Sequence, residues 1–581
     1  MKGRLVSSVG FGLALVFSSV LAVFWQTSTF EFLNFDDPTY VFQNPHVATG
    51  LTAQNIAWAF TTPYAGHWHP LAWISHMLDV ELFGLSAGPH HLVNAALHAL
   101  NSALLYLFVF GLTRRPGVAL VSALLFGIHP LRIESVAWVS ERKDVLSMLF
   151  GLLALNLYLL FVRTRSRGAY ALMVASLALS LLAKPTFVSF PALLLLCDAW
   201  PLARAAGSLA SLRALVVEKL PLIALSLAFC AVAAFGQSEG GGLQDLSGYP
   251  LSDRLAGGAL AYLVYAGKTI FPAGVGVFYP FARYAPGIGA GAFFGLAAVT
   301  TLVAVQRHER PYLTWGWAWL LISALPFVGF VQIGGQAFAD RWSYLPGVGI
   351  LVATVLLFAS SAHTRSWSPI LGGAAVAASV LLTVRELPHW RSSETLFTRT
   401  LQVSPNNFMA HTNLGTALRD RGASDLATVH FEEAVRLNPT YPEALNNLAI
   451  SRAEAGRFEE AQQLFSKALA IRPDFDQARY NSALAFSFSG NTARASIEWA
   501  KIVAHDPSYT AAQTSLNAVA SQVAGMTCAQ FRESLRTAPP EAREELSASL
   551  GAWPQGLPAE GIRASLSRLA RCDGGNEGFT P

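Results

Sequence analysis

Charge is scarce in this chain. Only 13% of its 581 residues are Asp, Glu, Lys or Arg, and the mean hydropathy is +0.40. Soluble globular chains carry about twice that charged fraction, so much of the protein is expected to lie in lipid. The net charge of +4 is small and scattered, which argues against nucleic acid as a partner. The four cysteines, Cys197, Cys230, Cys528 and Cys572, form no metal or redox spacing. Cys528 and Cys572 could pair if their region is exported, but spacing alone does not show it. No Lys or Arg occurs between Arg4 and Arg114.

What is present before residue 385 is a series of apolar segments: 5–26, 90–112, 117–131, 144–162, 168–183, 186–202, 217–236, 287–306, 313–332, 345–361 and 367–384. Each approaches the roughly 20 residues a helix needs to cross a bilayer, though several are short. The first lacks a small-x-small cleavage site and reads as an uncleaved helix. Lys2/Arg4, Arg114/Arg115, Arg163/Arg165/Arg167, Arg204/Arg213, Arg307/Arg310 and Arg365 fall in alternate loops, which places those loops in the cytoplasm. The 28–89 loop is then outside. Parity makes 255–275, with Lys268 and Pro272, re-entrant or interfacial. The expectation is an all-α protein: a polytopic bundle of about eleven crossings in an inner membrane, with an extracytoplasmic C-terminus.

After residue 385 the pattern changes. Pro405, Pro439, Pro473 and Pro507 recur at 34-residue intervals, the period of tetratricopeptide repeats. Aligned on them, Leu414, Gly415, Ala427, Phe431 and Ala434 match Leu448, Ala449, Ala461, Phe465 and Ala468. A third, worn repeat keeps Ala483, Ala495 and Trp499. The expected domains are 1–385 in the membrane, 386–509 as half a repeat plus three repeats, and 510–581 as helical cap and tail. The 390–401 stretch reads as a lone helix docking on the first repeat. Asn413, Asn447 and Asn481 share one repeat position. Stacked along the solenoid, their amides would suit the backbone of an extended acceptor peptide, unless Asn simply packs well there.

Three outer segments concentrate ionisable groups. "EFLNFDDPTYVFQNP" puts the adjacent carboxylates Asp36 and Asp37 just beyond the first apolar run, where charge is costly. They are either an ordinary cap and turn, or a place where something is held or deprotonated. "HPLRIESVAWVSERKDVLS" holds Arg132, Glu134, Glu141, Arg142, Lys143 and Asp144. External Arg142 and Lys143 run against the usual cytoplasmic bias of basic residues, which an anionic ligand would explain. "FADRWSYLP" adds Asp340, Arg341 and Tyr344. His91, Asn94 and His98 share a helix face by spacing, with His67 and His69 upstream; structural roles outweigh metal ligation for these histidines.

These motifs, with "HPLAW", "HHLVNAALH" and the C-terminal repeats, resemble the GT-C glycosyltransferases, specifically the cadherin-targeting transmembrane O-mannosyltransferases with tetratricopeptide repeats and their bacterial relatives. Departures are His69-Pro70 and Glu141-Arg142-Lys143-Asp144, where the animal members carry other residues. The resemblance implies transfer of a sugar, mannose by analogy, from a polyprenyl-phosphate donor to a hydroxyl acceptor, a protein Ser or Thr. Asp36, Asp37 and Glu134 are the implied catalytic carboxylates. Arg142, Lys143, Lys184 and Arg341 would meet the donor phosphate. His69 and His91 would line the first-loop pocket, and Asn413, Asn447 and Asn481 would hold the acceptor. No metal ligand set is implied, although a divalent cation could sit at Asp36 and Asp37. The rival readings are a non-catalytic membrane scaffold that recruits partners through its repeats, and a polyprenyl-lipid transporter. The transporter would carry its charges through the bundle core rather than bunched at one face.

Overall fold

A computed structural model describes residues 2–204, 208–239, 250–281, 284–329, 335–361, 364, 366–527 and 529–530. Cys528, Cys572 and nearly all of the cap and tail after residue 530 lie outside the described residues. The described residues are overwhelmingly helical, with one pair of short antiparallel strands, Tyr279–Pro280 and Gln336–Phe338.

Each apolar segment read from the sequence contains a helix, although residues 330–332 at the end of 313–332 lie outside the described residues. Among the described residues six are long and apolar enough to cross a membrane: Val9–Thr29, Ala87–Thr113, Val139–Thr164, Leu209–Gln237, Gly287–Val305 and Ser368–Trp390. The pair Pro116–Ile128 and Pro130–Ala137 passes the same test together but is bent by 56°, the form of a broken span or a re-entrant loop. The bend has a local cause. Pro130 forces the residue before it out of helical geometry, and His129 is extended with ψ 137°. Arg167–Ala183, Pro185–Ala199 and Gly347–Ser360 are apolar but shorter. The 255–275 segment falls mostly within a continuous helix, Leu251–Ile270, followed by irregular chain.

Small residues let these helices approach. A Cβ on either Gly316 or Gly349 would overlap the other's carbonyl, so Pro311–Ala324 and Gly347–Ser360 touch backbone to backbone. The 28–89 loop is itself folded, with helices Ala53–Thr61 and Pro70–Phe83. Tyr40 and Trp73, ring centroids 4.4 Å apart, anchor its own core. Asn44 of "QNP" caps Pro45–Ala48 by accepting from the backbone N–H groups of His46 and Val47.

The chain forms two compact units, Met1–Asn407 and Phe408–Pro581. The first runs past residue 385 because the segment from Arg391 to Val403 packs on the 28–89 loop. Asn34 N–H donates to Ser393 Oγ at 2.8 Å, Glu31 N–H to the Arg391 carbonyl at 3.0 Å, and the Phe35 ring meets Phe397.

The second unit consists of helix pairs: Phe408–Asp420 with Ser424–Leu437, Pro442–Glu454 with Phe458–Ile471, and Asp476–Phe488 with Thr492–His505. Thr510–Ala518 and Ala520–Gly525 follow. Each pair turns on a glycine in the left-handed region: Gly422 (φ 82°), Gly456 (75°) and Gly490 (84°). Within the first repeat Gly415 gives Phe431 its space, since a Cβ there would stand 2.6 Å from the ring.

Candidate active site

Asp36 and Asp37 are adjacent but do different things. Pro38 opens a single π-turn, Pro38–Phe42, and the backbone at Asp37 is already helical, so the two side chains diverge. Asp37 is fully buried. Its Oδ2 accepts from Leu33 N–H at 2.8 Å, and its Oδ1 accepts from Ser140 N–H at 2.9 Å and Ser140 O–H at 2.5 Å. These bonds tie the 28–89 loop to the segment around Ser140. Burial pushes Asp37 up to about 6, against the bonds that favour its charged form. The Asp36 carbonyl accepts Tyr40 N–H at 2.8 Å, but its carboxylate accepts no hydrogen bond among the described residues and lines a cavity of about 560 Å³. Burial raises its pKa too, opposed first by the Lys143 charge.

The same cavity carries cations. Glu141 is their hub. Its Oε1 lies 3.1 Å from Lys143 Nζ and 3.2 Å from Arg341 Nε, and its Oε2 lies 3.3 Å from Lys184 Nζ. Lys184 also meets Asp144 at 2.6 Å, and Lys143 sits over the Tyr40 ring at 4.4 Å. Glu134 holds Arg341 through both oxygens: Oε1 takes the guanidinium, and Oε2 accepts the Arg341 backbone N–H at 2.7 Å. Arg132 is therefore not the partner of Glu134. Asp36, Glu141, Lys143, Lys184 and Arg341 all line the cavity. The cavity is also lined by apolar side chains, among them Leu181, Val188, Phe229, Val232 and Ala233.

His69 lines the same cavity and stacks on His67, centroids 5.0 Å apart. Burial lowers both, His67 to about 3, so the rings are neutral at pH 7 and offer hydrogen bonding rather than charge. Four expected residues, Asp37, Glu134, Arg142 and His91, do not line the cavity. Arg142 is buried and bound to Ser75 Oγ, Asp79, Asn94 Oδ1 and the His90 carbonyl, and it does not line the cavity. His91 is buried with Nε2 3.2 Å from the Glu31 carbonyl. Asn94 and His98 pin the chain behind it. Asn94 donates to the Trp138 carbonyl, and His98 lies between Tyr344 OH and the Gly127 carbonyl. Sequence reasoning missed Glu141 as the shared centre, Gln237 bonded to His67, and the wall from Phe229 to Ala233. Only the wall had a signal, an apolar run already read as a span.

In the repeat unit the three asparagines are half-buried. Asn413 Nδ2 donates to the Met409 carbonyl at 3.0 Å, Asn447 Nδ2 to Thr416 Oγ1 at 3.3 Å, and Asn481 Nδ2 to Asn446 Oδ1 at 3.0 Å. The last two bonds run between successive repeats.

The comparisons agree with both units. The family model described as tetratricopeptide repeat matches residues 418–485 and 452–518. Protein O-mannosyl-transferase TMTC1 of Homo sapiens is 24% identical over 481 residues, 71% of this chain and 53% of its own length. The homologues of this chain are protein O-mannosyl-transferases. Protein O-mannosyl-transferase F38B6.6 of Caenorhabditis elegans is 23% identical over 65% of this chain and 54% of its own. Protein O-mannosyl-transferase TMTC4 of Homo sapiens is 35% identical across 22% of this chain and 18% of its own. The chain thus spans about half the length of the first two relatives. Among solved structures, the crystal structure of MamA is 19% identical over 27% of this chain and 85% of its own, with a TM-score of 0.21.

Proposed function

We propose that this chain transfers mannose from a polyprenyl-phosphate donor to a protein Ser or Thr hydroxyl on the extracytoplasmic face of an inner membrane. The carrying observation is Asp36. Its carboxylate accepts no hydrogen bond among the described residues and lines a cavity that is also lined by cations and by apolar side chains. The apolar side chains suit a prenyl chain. Lys143, Lys184 and Arg341 suit its phosphate, since charge-assisted bonds to phosphate oxygens are the strong ones.

Asp36 takes the proton of the acceptor hydroxyl as that oxygen bonds to the anomeric carbon. The bond from that carbon to the phosphate oxygen breaks, and its electrons leave on the polyprenyl phosphate held by the cations. Attack opposite the leaving group inverts the sugar, as single-displacement sugar chemistry requires. Asp37 and Glu134 act through others, Asp37 by fixing the loop and Glu134 by fixing Arg341. Asp37 does not face the cavity, so the pair presents no joint ligand set for a divalent cation, and no step is routed through one. The repeats would hold the acceptor, raising its local concentration.

Asp36→Asn keeps size and loses basicity. Transfer of mannose from polyprenyl-phosphate mannose to an acceptor peptide should fall ~10²–10⁴-fold with insertion unchanged. Wild-type turnover in this variant would sink the proposal and favour a scaffold. For sidedness, a periplasm-only reporter fused after residue 400 should be active and one fused after residue 165 silent. The reverse pattern would put the repeats in the cytoplasm.

A further inference from the structure

Away from the cavity, the helix Pro70–Phe83 ends at Gly84 (φ 63°), and the chain returns in the helix Ala87–Thr113. His76 and Asp79, three residues apart, share a face of the first helix, and His90 of the second meets them. All three are buried, and one ligand-type atom from each lies within 4.8 Å of the others.

Their protons do not balance. His90 Nε2 is 3.0 Å from the Gly84 carbonyl, so it carries the hydrogen, and in the neutral ring Nδ1 is an acceptor. That acceptor faces Asp79 Oδ2, another acceptor, at 3.5 Å. His76 has 0% exposure, and neither of its ring nitrogens has a partner. Buried imidazoles in that state are costly, and an ion among them would satisfy both rings and the carboxylate together. The surroundings orient the set in the way metal ligands are oriented. The Gly84 carbonyl fixes the His90 tautomer, and Arg142 Nη2 holds Asp79 Oδ2 at 2.6 Å.

We propose that His76, Asp79 and His90 bind a first-row divalent metal ion, zinc by donor type, as a clip across this helical hairpin. Metal–ligand bonds of about 2.0–2.2 Å put tetrahedral ligand atoms roughly 3.4 Å apart, near the 3.5 Å that already separates His90 Nδ1 from Asp79 Oδ2. The ion would brace Asp79 and, through it, Arg142, the first residue of the helix that carries Lys143 and Asp144 toward the cavity. This inference does not depend on the transferase reading.

The test uses the full-length protein in detergent, loaded with zinc and freed of excess by gel filtration. Wild type should retain about one zinc per chain by elemental analysis, and cobalt loading should give visible ligand-field bands of an N/O site. His76→Gln and His90→Gln should each weaken retention at least ~10-fold and abolish the bands. The double variant His411→Gln/His430→Gln, in the repeat unit, should keep both. Zinc below about 0.1 per chain in loaded wild type would overturn the proposal. So would equal zinc in folded His76→Gln and His90→Gln proteins, or loss of the metal in the His411/His430 variant alone.

Discussion

The segment from Lys184 to Asp198 has a charged cluster at each end, and the two clusters differ in one respect. At the first end, Lys184, Lys143 and Arg341 share Glu141. At the other, Asp198 pairs with Lys219 at 2.6 Å and Arg204 at 3.0 Å, and accepts from Tyr158 OH at 2.5 Å. Glu218 then bridges Arg204 and Lys219. Residue types and distances are alike. The first cluster opens on a cavity, whereas Asp198 and Lys219 have no exposed side-chain surface. Ion pairing by itself therefore says little about function; what matters is whether the ions face a space that a ligand can enter.

The closed cluster offers the largest effect. Asp198→Ala leaves Lys219 buried with Glu218 alone, and breaking a buried pair costs about 3–5 kcal/mol. Thermal unfolding in detergent should drop accordingly, while transfer per folded molecule stays unchanged. Asp198→Leu with Lys219→Met should recover most of the loss, because apolar replacement of a whole buried pair is close to neutral. Lost transfer at an unchanged unfolding temperature would make this cluster functional and break the comparison.

The open cluster should show itself in pH dependence. Asp36 must be ionised to accept a proton, and burial raises its pKa above 3.8. The acid limb of the transfer rate should therefore lie above the ordinary carboxylate range, falling about tenfold per pH unit below it. Asp37, at about 6 in the folded chain, contributes with the opposite slope. Between 3.8 and about 6 the folded state keeps a proton that the unfolded state releases, so this contribution to stability declines as pH rises through that window and is level above it. Ser140→Ala removes the hydroxyl bond to the ionised form, leaves the backbone N–H bond in place, and should push the Asp37 midpoint higher. The acid limb of transfer should stay in place. If it moves with the stability midpoint, Asp37 and not Asp36 is the base.

What the sequence revealed follows from the range of the forces involved. Helices and repeats are written in periodicity, so the apolar segments and the 34-residue array were readable. The acidic and basic clusters were readable as composition. Side-chain direction was not. Asp36 and Asp37 are neighbours, as are Arg142 and Lys143, and in each pair one residue faces the cavity while the other is buried in fixed bonds. That division depends on a π-turn at Pro38 and a helix start at Arg142, both set by tertiary packing. The pairing of Glu134 with Arg341 spans 207 residues, and nothing local favours it over Arg132.

The smallest expected effect concerns a set of groups between open and closed. Asn447 and Asn481 each donate one amide hydrogen to the preceding repeat, and each accepts one hydrogen bond, from Asn446 and Gln477. A side-chain amide has two donors and two acceptor positions, so about half of that capacity is left on a half-buried face. Changing Asn413, Asn447 and Asn481 together to Ala should raise KM for a full-length acceptor several-fold, leave kcat unchanged, and spare a short hydroxyl acceptor, because tethering alters local concentration and not chemistry. Stacking must be separated from presentation. Thr416→Ala removes the same inter-repeat bond as Asn447→Ala and leaves the amide in place; either loss should cost about 0.5–1.5 kcal/mol in unfolding. If Thr416→Ala raises KM as much as Asn447→Ala does, the row serves the solenoid and not the acceptor. If only the asparagine changes do, the amides touch the peptide.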